Sequence, residues 1–278
     1  MKRNQTVLSM TNISVDLETA TRKTRLVNKV SLNVNRGEVL GIIGESGSGK
    51  TMTCMAAMGL LPRGARVTEG SILLDGEELT SLSVEERRKL RGSRISMIMQ
   101  NPMTCFNPVR TIGSHFLETL GVHTNLTAKE ARERAIHDLG QVNLPRPQEL
   151  MRQYPFELSG GMLQRIMIAI ALATNAELII ADEPTTALDT GNQKHILREL
   201  NRIREMTGAA IIVITHDLGV IAELADQVTV MYRGESVENA PVKQLFDAPA
   251  HAYTRLLLQS RLSMPNSASD EVRRGLIV

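Results

Sequence analysis

Residues 39–51 have the sequence Val-Leu-Gly-Ile-Ile-Gly-Glu-Ser-Gly-Ser-Gly-Lys-Thr, an apolar run followed at once by a glycine-rich loop. The loop matches the pattern G-x-x-x-x-G-K-[ST] and leads into a predicted helix, Thr51 to Leu61. Glycines let successive backbone N–H groups converge on phosphate oxygens, and the start of a helix adds positive potential. The order of strand, loop and helix therefore predicts a phosphate-binding loop rather than a glycine-serine surface loop that happens to carry a lysine.

The same loop supplies two side chains to the expected chemistry. Lys50 is placed to reach the β- and γ-phosphates of a nucleotide, and the hydroxyl of Thr51 is placed to be a magnesium ligand. Glycine makes up about 7% of residues in proteins, so the bare pattern rarely arises by chance in one chain. The predicted nucleotide-binding residues of the loop are Gly44, Glu45, Ser46, Gly47, Ser48, Gly49, Lys50 and Thr51.

A second apolar run ends in two acidic residues, because Leu178 to Ala181 is followed directly by Asp182 and Glu183. Open α/β sheets place their ligands at the carboxyl ends of strands, so Asp182 is expected to hold a magnesium hydration shell. Glu183 is expected to orient or deprotonate the water that attacks the γ-phosphate. Alone, this pattern also fits a turn or a helix cap. Downstream of a phosphate loop, it favours a nucleotide-hydrolysing site.

Alternating apolar runs and helical segments predict an α/β fold for the whole chain. Ala210 to Ile214 has the composition of another buried parallel strand. The segment before it, Thr190 to Met206, is predicted to be a helix that ends at Gly208.

Two regions interrupt that alternation. The segment Gly70 to Leu79 contains Asp75-Gly76, a hairpin turn signal between apolar runs. Residues 111–173 are predicted to be helical, and a capping box at residues 127–130 opens one of the helices. The sequence thus predicts a helical insertion in an α/β core, with the polar residues 263–278 as a loosely held tail.

Composition and charge narrow the possible partners. A net charge of +2, without a basic patch interleaved with aromatic residues, predicts no nucleic-acid partner. The N-terminus has no apolar signal segment, and the longest apolar run, Ile166 to Ala173, is far below the roughly 18 residues of a membrane span. Cys54 and Cys105 are too far apart for a CxxC motif and are expected to be free, buried thiols.

A second glycine pair precedes another long helical segment. The stretch Leu158-Ser159-Gly160-Gly161-Met162 leads into an apolar helix for which Ser159 is a suitable N-cap. The glycines would expose backbone N–H groups at the helix start and so create a second anion site in one chain. Without other motifs, this segment would be interpreted as an ordinary capped helix.

Taken together, these motifs make the sequence resemble the ATPase subunits of ABC transporters over roughly residues 8–260. The remaining family motifs are present in order: Gln100 matches the Q-loop, Ala187-Leu188-Asp189 the D-loop, and His216 the switch histidine. The resemblance implies that Gln100 senses magnesium and the attacking water and that His216 contacts the γ-phosphate. It also implies that the glycine pair of one subunit closes over the ATP held by another.

The resemblance completes the predicted site and fold. The implied catalytic residues are Glu183, His216 and Gln100; the implied magnesium residues are Thr51, Gln100 and Asp182; and the further ATP-contacting residues are Ser159, Gly160, Gly161 and Asp189. The implied fold is a P-loop NTPase (RecA-like) core with an antiparallel β subdomain and a helical ABC-specific insertion. Residues 1–262 would form the ATPase domain, with the core at about 1–100 and 175–262 and the helical subdomain at about 101–174.

The sequence departs from the family pattern in two places. Met162 replaces the usual glutamine of the signature, which removes a hydrogen-bonding side chain but leaves Ser-Gly-Gly intact. The usual aromatic residue that stacks on adenine is also missing, because no Phe, Tyr or Trp precedes Phe106. Leu17 or Leu26 is expected to offer an apolar face instead, which would select the base less strongly than stacking does.

Two further segments resemble one branch of the family. Residues 100–108, Gln-Asn-Pro-Met-Thr-Cys-Phe-Asn-Pro, and residues 250–257, Ala-His-Ala-Tyr-Thr-Arg-Leu-Leu, are similar to segments of the ATPases that power dipeptide, oligopeptide and nickel importers. Residues 98–102 and 156–165 favour the nickel-import subunit, so nickel or a metal–chelator complex is the expected solute and a short peptide the alternative. No cysteine follows Cys105, so no iron–sulfur site is predicted.

The resemblance also implies partners and a location. These are two transmembrane permease subunits, a second and distinct ATPase subunit in a head-to-tail dimer, and, indirectly, an extracytoplasmic solute-binding protein. The chain would lie on the cytoplasmic face of a bacterial membrane as a peripheral subunit. Two other classes are less favoured: an ABC ATPase acting on ribosomes or in DNA repair, and a regulatory subunit that does not hydrolyse ATP.

Overall fold

The computed structural model of the protein describes residues 5–186 and 188–262. The chain divides into two compact units, one formed by the residues up to Arg88 and from Ala210 onward, the other by Lys89–Ala209. The predicted tail, residues 263–278, and Ala187 of the predicted D-loop lie outside the described residues. The predicted boundaries of core and helical subdomain stay predictions.

The strands are β1 (Thr6–Glu18), β2 (Lys23–Asn35), β3 (Val39–Ile43), β4 (Ala65–Leu74), β5 (Glu77–Glu78), β6 (Ile95–Ile98), β7 (Leu178–Asp182), β8 (Ala210–Ile214), β9 (Gln227–Tyr232) and β10 (Glu235–Pro241). The helices are α1 (Lys50–Met58), α2 (Val84–Leu90), α3 (Ile112–His123), α4 (Ala128–Gln141), α5 (Pro147–Leu150), α6 (Gly160–Ala173), α7 (Thr190–Thr207), α8 (Leu218–Leu224), α9 (Val242–Asp247) and α10 (Ala252–Leu262). Within the part of the chain that the structure describes, short 3-10 helices cover Pro102–Thr104 and Pro155–Glu157.

The first unit contains an antiparallel sheet of strand order β2-β1-β4-β5. Strands β4 and β5 are joined at Asp75 and Gly76, both of which have positive φ angles, 48° and 85°. A two-residue hairpin loop with both residues in the left-handed region suits the twist of the flanking strands, and glycine reaches that region without strain. The predicted hairpin is confirmed.

The same unit contains parallel strands that position the phosphate loop. Strand β3 pairs in parallel with β8 on one side and with β9 on the other, and β10 continues the sheet antiparallel to β9. Every residue of β3 and of β8 is buried. The prediction of buried parallel strands is confirmed, and continuous apolar runs are what such strands require.

The second unit combines two parallel strands with helices. Strands β6 and β7 pair in parallel, with Ile98 opposite Ala181. Helix α4 starts with the predicted capping box, in which Thr127 and Glu130 satisfy each other's backbone N–H groups. Helix α7 ends as predicted at Gly208, which is in the left-handed conformation with φ 71°.

Two local expectations were wrong. Helix α1 ends at Met58 rather than near Leu61, because Gly59 adopts a left-handed conformation (φ 63°) and closes the helix with its backbone N–H. Cys54 is buried as expected, but Cys105 is exposed. Each helix of the described chain is too short or too polar to span a bilayer.

Candidate nucleotide site

The glycine-rich loop of the first unit lies between β3 and α1 and needs glycine at defined positions. Gly44 has φ 152°, and a Cβ placed on it would come within 2.2 Å of the Met231 carbonyl oxygen. Gly49, the N-cap of α1, has φ 100°. A side chain at either position would strain or displace the loop, so the observed backbone requires glycine at both positions.

Lys50 folds back over the loop. Its Nζ donates hydrogen bonds to the carbonyl oxygens of Gly44 at 2.9 Å and Glu45 at 2.7 Å. This contact keeps the ammonium group at the mouth of the loop rather than in bulk water. A lysine held in this way supplies a fixed positive charge for an anion bound by the backbone N–H groups.

The first turn of α1 is open to an anion. Gly49, the N-cap of α1, makes no side-chain capping hydrogen bond, and the first backbone N–H groups of an α-helix have no acceptor within the helix itself. The buried Ser48 hydroxyl has no hydrogen-bond partner within the described chain. Phosphate oxygens are acceptors that suit both kinds of donor, so the loop fits the phosphates of a nucleotide.

His216 follows β8, the parallel neighbour of β3. Ile42 lies opposite Ile214 in the register, and Gly44 and His216 each come two residues later. Because the carboxyl ends of parallel strands meet at one sheet edge, His216 emerges at the same edge as the phosphate loop. Its side chain is exposed there, which fits the predicted contact with a phosphate.

In the second unit, the acidic pair stands at the carboxyl end of β7. Asp182 is buried, with 4% of its surface exposed, and Glu183 is half-buried. Glu183 has φ 50°, a left-handed conformation uncommon for a residue other than glycine. The Thr186 hydroxyl donates to Glu183 Oε2 at 3.0 Å. The carboxylate is therefore aimed by a strained backbone and by a hydrogen bond.

A residue that the sequence analysis did not single out supports this turn. Gln164 of α6 is fully buried, and its Nε2 donates to the Pro184 carbonyl oxygen at 3.0 Å. Gln164 thus links the helix that follows the glycine pair to the residue after Glu183. Its place in the signature run was a usable signal, but the run was interpreted only by its small residues.

Gln100 emerges beside the acidic pair within the second unit. It lies two residues after Ile98 of β6, and Ile98 is opposite Ala181, the residue before Asp182. Gln100 is exposed. The parallel register therefore brings the three predicted residues Gln100, Asp182 and Glu183 to one edge of the β6–β7 pair.

The glycine pair stands at the start of α6 as predicted. Ser159 is the N-cap, and its hydroxyl accepts a hydrogen bond from the Met162 N–H at 3.3 Å. Ser159 and Gly160 are exposed, and a Cβ on Gly160 would meet no atom within 4 Å. The backbone at this helix start is therefore accessible from outside.

Asp189, also predicted to contact ATP, is the exposed N-cap of α7. Its carboxylate accepts from the Asn192 backbone N–H at 3.0 Å and from the Asn192 side chain at 2.6 Å. The backbone hydrogen bond, followed by the side-chain one, lowers the pKa of Asp189. Within this chain its carboxylate stabilises the start of the helix.

The two leucines considered for the adenine face lie in different surroundings. The Leu26 carbonyl oxygen lies 3.1 Å from where a Cβ of Gly49 would be, so Leu26 lies beside the phosphate loop. Leu17 instead packs near Gly64, whose Cβ would lie 3.5 Å from Leu17 Cδ1. Of the two leucines, Leu26 is the one that lies beside the phosphate loop.

Comparison with known proteins identifies the chain. A family profile described as ABC transporter matches residues 27–186. The oligopeptide transport ATP-binding protein OppD of Lactococcus lactis is 45% identical over 96% of this chain and 79% of that protein. The dipeptide transport ATP-binding protein DppD of Escherichia coli is 41% identical over 96% of this chain and 81% of that protein.

Solved structures agree. The dimeric post-hydrolysis structure of an ATP-binding cassette with ADP and Pi has a TM-score of 0.77 at 27% identity, over 84% of this chain and 98% of that one. The chain belongs to the ABC transporter family, as one of its ATPases. The predictions of the fold, a P-loop core with an antiparallel subdomain and a helical insertion, and of ATPase activity are thereby confirmed.

Proposed function

We propose that this chain is the ATP-hydrolysing subunit of an importer for short peptides. The observation that carries the proposal is the identity of 45% and 41%, over nearly the full chain, to proteins named for oligopeptide and dipeptide transport. The expected nickel or metal–chelator solute rests on residues 98–102 and 156–165 alone. The relatives favour the alternative solute, a short peptide. The experiment below therefore measures nickel uptake as well as peptide uptake.

The phosphate loop binds the nucleotide in this proposal. The backbone N–H groups of Gly47 to Thr51 surround the phosphates, and Lys50 neutralises part of their charge. Lys50 already lies over the loop through its bonds to Gly44 and Glu45, so little reorganisation is needed on binding. His216, at the same sheet edge, contacts the γ-phosphate.

Hydrolysis depends on residues of the second unit. Glu183 orients and deprotonates the attacking water, and the bond from Thr186 holds its carboxylate for that task. Thr51, Asp182 and Gln100 each offer an oxygen of the kind that magnesium prefers, and the ion would neutralise charge on the phosphates. Gln100 senses the occupant of the site in this proposal, a role supported by its exposure at the edge of the β6–β7 pair where Asp182 also lies.

Two ATPase subunits act together in this proposal. Ser159, Gly160 and Gly161 cap the nucleotide held by the partner, with Asp189 at the interface. The partner is a distinct paralogue in a head-to-tail dimer, and two permease subunits transmit the closure to a pore fed by an extracytoplasmic binding protein. The chain works at the cytoplasmic face of the membrane. ATP binding favours the closed dimer, and hydrolysis resets it.

Uptake of a labelled dipeptide or tripeptide tests the proposal, in cells that lack the gene and are complemented with wild type or with Glu183→Gln. We expect wild type to restore uptake and Glu183→Gln to lose nearly all of it, since a general base contributes about 10²–10⁴ in rate. Glu205→Gln is the matched control, because Glu205 is exposed on α7. It should transport as wild type does.

Nickel uptake is measured in the same strains. One result would contradict the peptide proposal: peptide uptake unchanged by loss of the gene, together with loss of nickel uptake at nanomolar metal. It would identify nickel as the transported solute, and the proposed ATPase role of the chain would stand. Full uptake with Glu183→Gln would contradict the proposed role of Glu183.

A further inference from the structure

The outer side of the phosphate loop is held by a residue far away in sequence. The Tyr253 hydroxyl accepts a hydrogen bond from the Glu45 backbone N–H at 3.1 Å. Tyr253 belongs to α10 and is buried, with 9% of its surface exposed. This backbone N–H is therefore bonded within the protein, on the outer side of the loop.

Lys50 and Tyr253 bind opposite ends of one peptide unit. The carbonyl of Gly44 and the N–H of Glu45 belong to the same peptide plane, and the peptide bonds of the described chain are trans. In a trans peptide these two groups point in opposite directions. Lys50 Nζ binds the carbonyl at 2.9 Å while Tyr253 binds the N–H, so the orientation of this plane sets the position of the ammonium group.

The Tyr253 ring is fixed by a neighbouring aromatic residue. Its centroid lies 4.2 Å from that of Tyr232, the last residue of β9, at an interplanar angle of 31°. The Arg233 guanidinium carbon lies 5.0 Å from the Tyr232 centroid. These contacts leave the hydroxyl of Tyr253 little freedom to move away from the loop.

The start of α10 is fixed as well. Both carboxylate oxygens of Glu238 in β10 accept backbone hydrogen bonds, from Ala250 at 2.8 Å and from His251 at 2.9 Å. The ring nitrogen Nδ1 of His251 accepts from the Tyr253 N–H at 3.2 Å. The backbone of Tyr253 is thus tied to the same β9–β10 hairpin that positions its ring.

The hairpin reaches the loop a second time. The Gly234 N–H donates to the Ser48 carbonyl at 3.0 Å, and the Asn28 N–H donates to the Gly234 carbonyl at 2.7 Å. Ser48 and Glu45 are therefore both anchored by the segment from β9 to α10. These contacts hold the phosphate loop on its outer side.

We propose that Tyr253 is a positioning residue for nucleotide binding, which orients the Gly44–Glu45 peptide so that Lys50 stands ready for the phosphates. This inference rests on the proposed function of the loop. Tyr253 does not contact the nucleotide; it acts through the peptide and through Lys50. Its loss should weaken binding uniformly for ATP and ADP, and it should raise KM with little change in kcat.

The experiment titrates the purified full chain with fluorescent ATP and ADP analogues. Tyr253→Phe keeps the ring on Tyr232 and removes only the hydroxyl. We expect Kd to rise about fivefold for both nucleotides, the effect of one hydrogen bond. Tyr232→Phe is the matched control, because within the described residues its hydroxyl makes no hydrogen bond to the loop; its Kd should stay within about twofold of wild type.

Hydrogen exchange gives a second, independent measurement. The Glu45 amide should exchange faster in Tyr253→Phe and at the wild-type rate in Tyr232→Phe. Unchanged Kd and unchanged exchange in Tyr253→Phe would overturn the inference, as would an equal loss of affinity in Tyr232→Phe. A wild-type chain that binds neither nucleotide would refute the proposed function and this inference with it.

Discussion

Helices α1 and α6 both start in glycine-containing segments, but their first turns are surrounded very differently. Before α1, the loop is held on its outer side by Gly234 at Ser48 and by Tyr253 at Glu45. At α6, the start is exposed, and a Cβ on Gly160 would meet no atom within 4 Å. The first turn of α1 is supported by its own unit, whereas the first turn of α6 is open.

The difference shows how the same local structure, a helix start that follows glycine, can serve two different binding roles. Both helix starts offer backbone N–H groups to an anion. The loop before α1 is preorganised by its anchors and by Lys50, so it can bind phosphate by itself. The start of α6 has a self-contained cap in Ser159 and is exposed, which fits the proposal that it caps a nucleotide held by a partner subunit.

The largest effect is expected from a substitution in the phosphate loop before α1. Lys50→Ala removes the positive charge over the loop and should lower ATP hydrolysis by the assembled importer at least about 100-fold. ATP affinity of the single chain should fall as well. Phosphate release and nucleotide titration measure the two effects. Lys243→Ala, at an exposed position on α9, is the control and should leave both unchanged.

An intermediate effect is expected from a substitution at the start of α6. Gly160→Glu places a carboxylate where phosphate is expected, in space that a Cβ can occupy without a clash. Like charges should keep the partner's nucleotide away, so turnover of the assembled importer should fall about 10- to 100-fold. ATP affinity of the single chain should stay within about twofold.

Gly160→Ala is the control for this prediction, since it adds the Cβ without the charge, and we expect only a small loss of turnover. An equal loss of single-chain affinity in Gly160→Glu would contradict the separate roles of the two helix starts. Such a result would place the α6 start at the nucleotide of its own chain.

The smallest expected effect concerns Met162, the departure from the usual signature. Met162→Gln adds a hydrogen-bonding side chain beside the intact Ser-Gly-Gly segment. Turnover of the assembled importer should change by less than about threefold, because one hydrogen bond contributes little net free energy. A tenfold or greater change would show that this position controls one of two unequal sites.

The elements predicted correctly are those that short stretches of sequence specify. The strand β3, the glycine loop and the start of α1 depend on the order of neighbouring residues, and so does the capping box of α4, which needs only Thr127 and Glu130. The end of α1 was misplaced because the predicted helix, Thr51 to Leu61, runs past Gly59, which closes the helix in a left-handed conformation.

Residues whose surroundings depend on tertiary packing were misjudged or overlooked in the sequence analysis. Cys105 was expected to be buried and is exposed, because the burial of one residue follows from elements that the local sequence does not contain. Gln164 was overlooked since its partner, the Pro184 carbonyl, is 20 residues away. Tyr253 lay in a segment noted only for its resemblance to relatives, and its partner Glu45 is 208 residues earlier.

The sequence by itself determined the fold class, the phosphate loop and the residue types of the site, because apolar periodicity and glycine spacing constrain the backbone locally. Only the tertiary structure decided which distant groups hold those residues in place. The bond from Glu45 to Tyr253 and that from Gln164 to Pro184 exist because sheet pairing and helix packing bring separate segments together. Local pattern cannot encode such contacts, since each depends on the register of every element between the two partners.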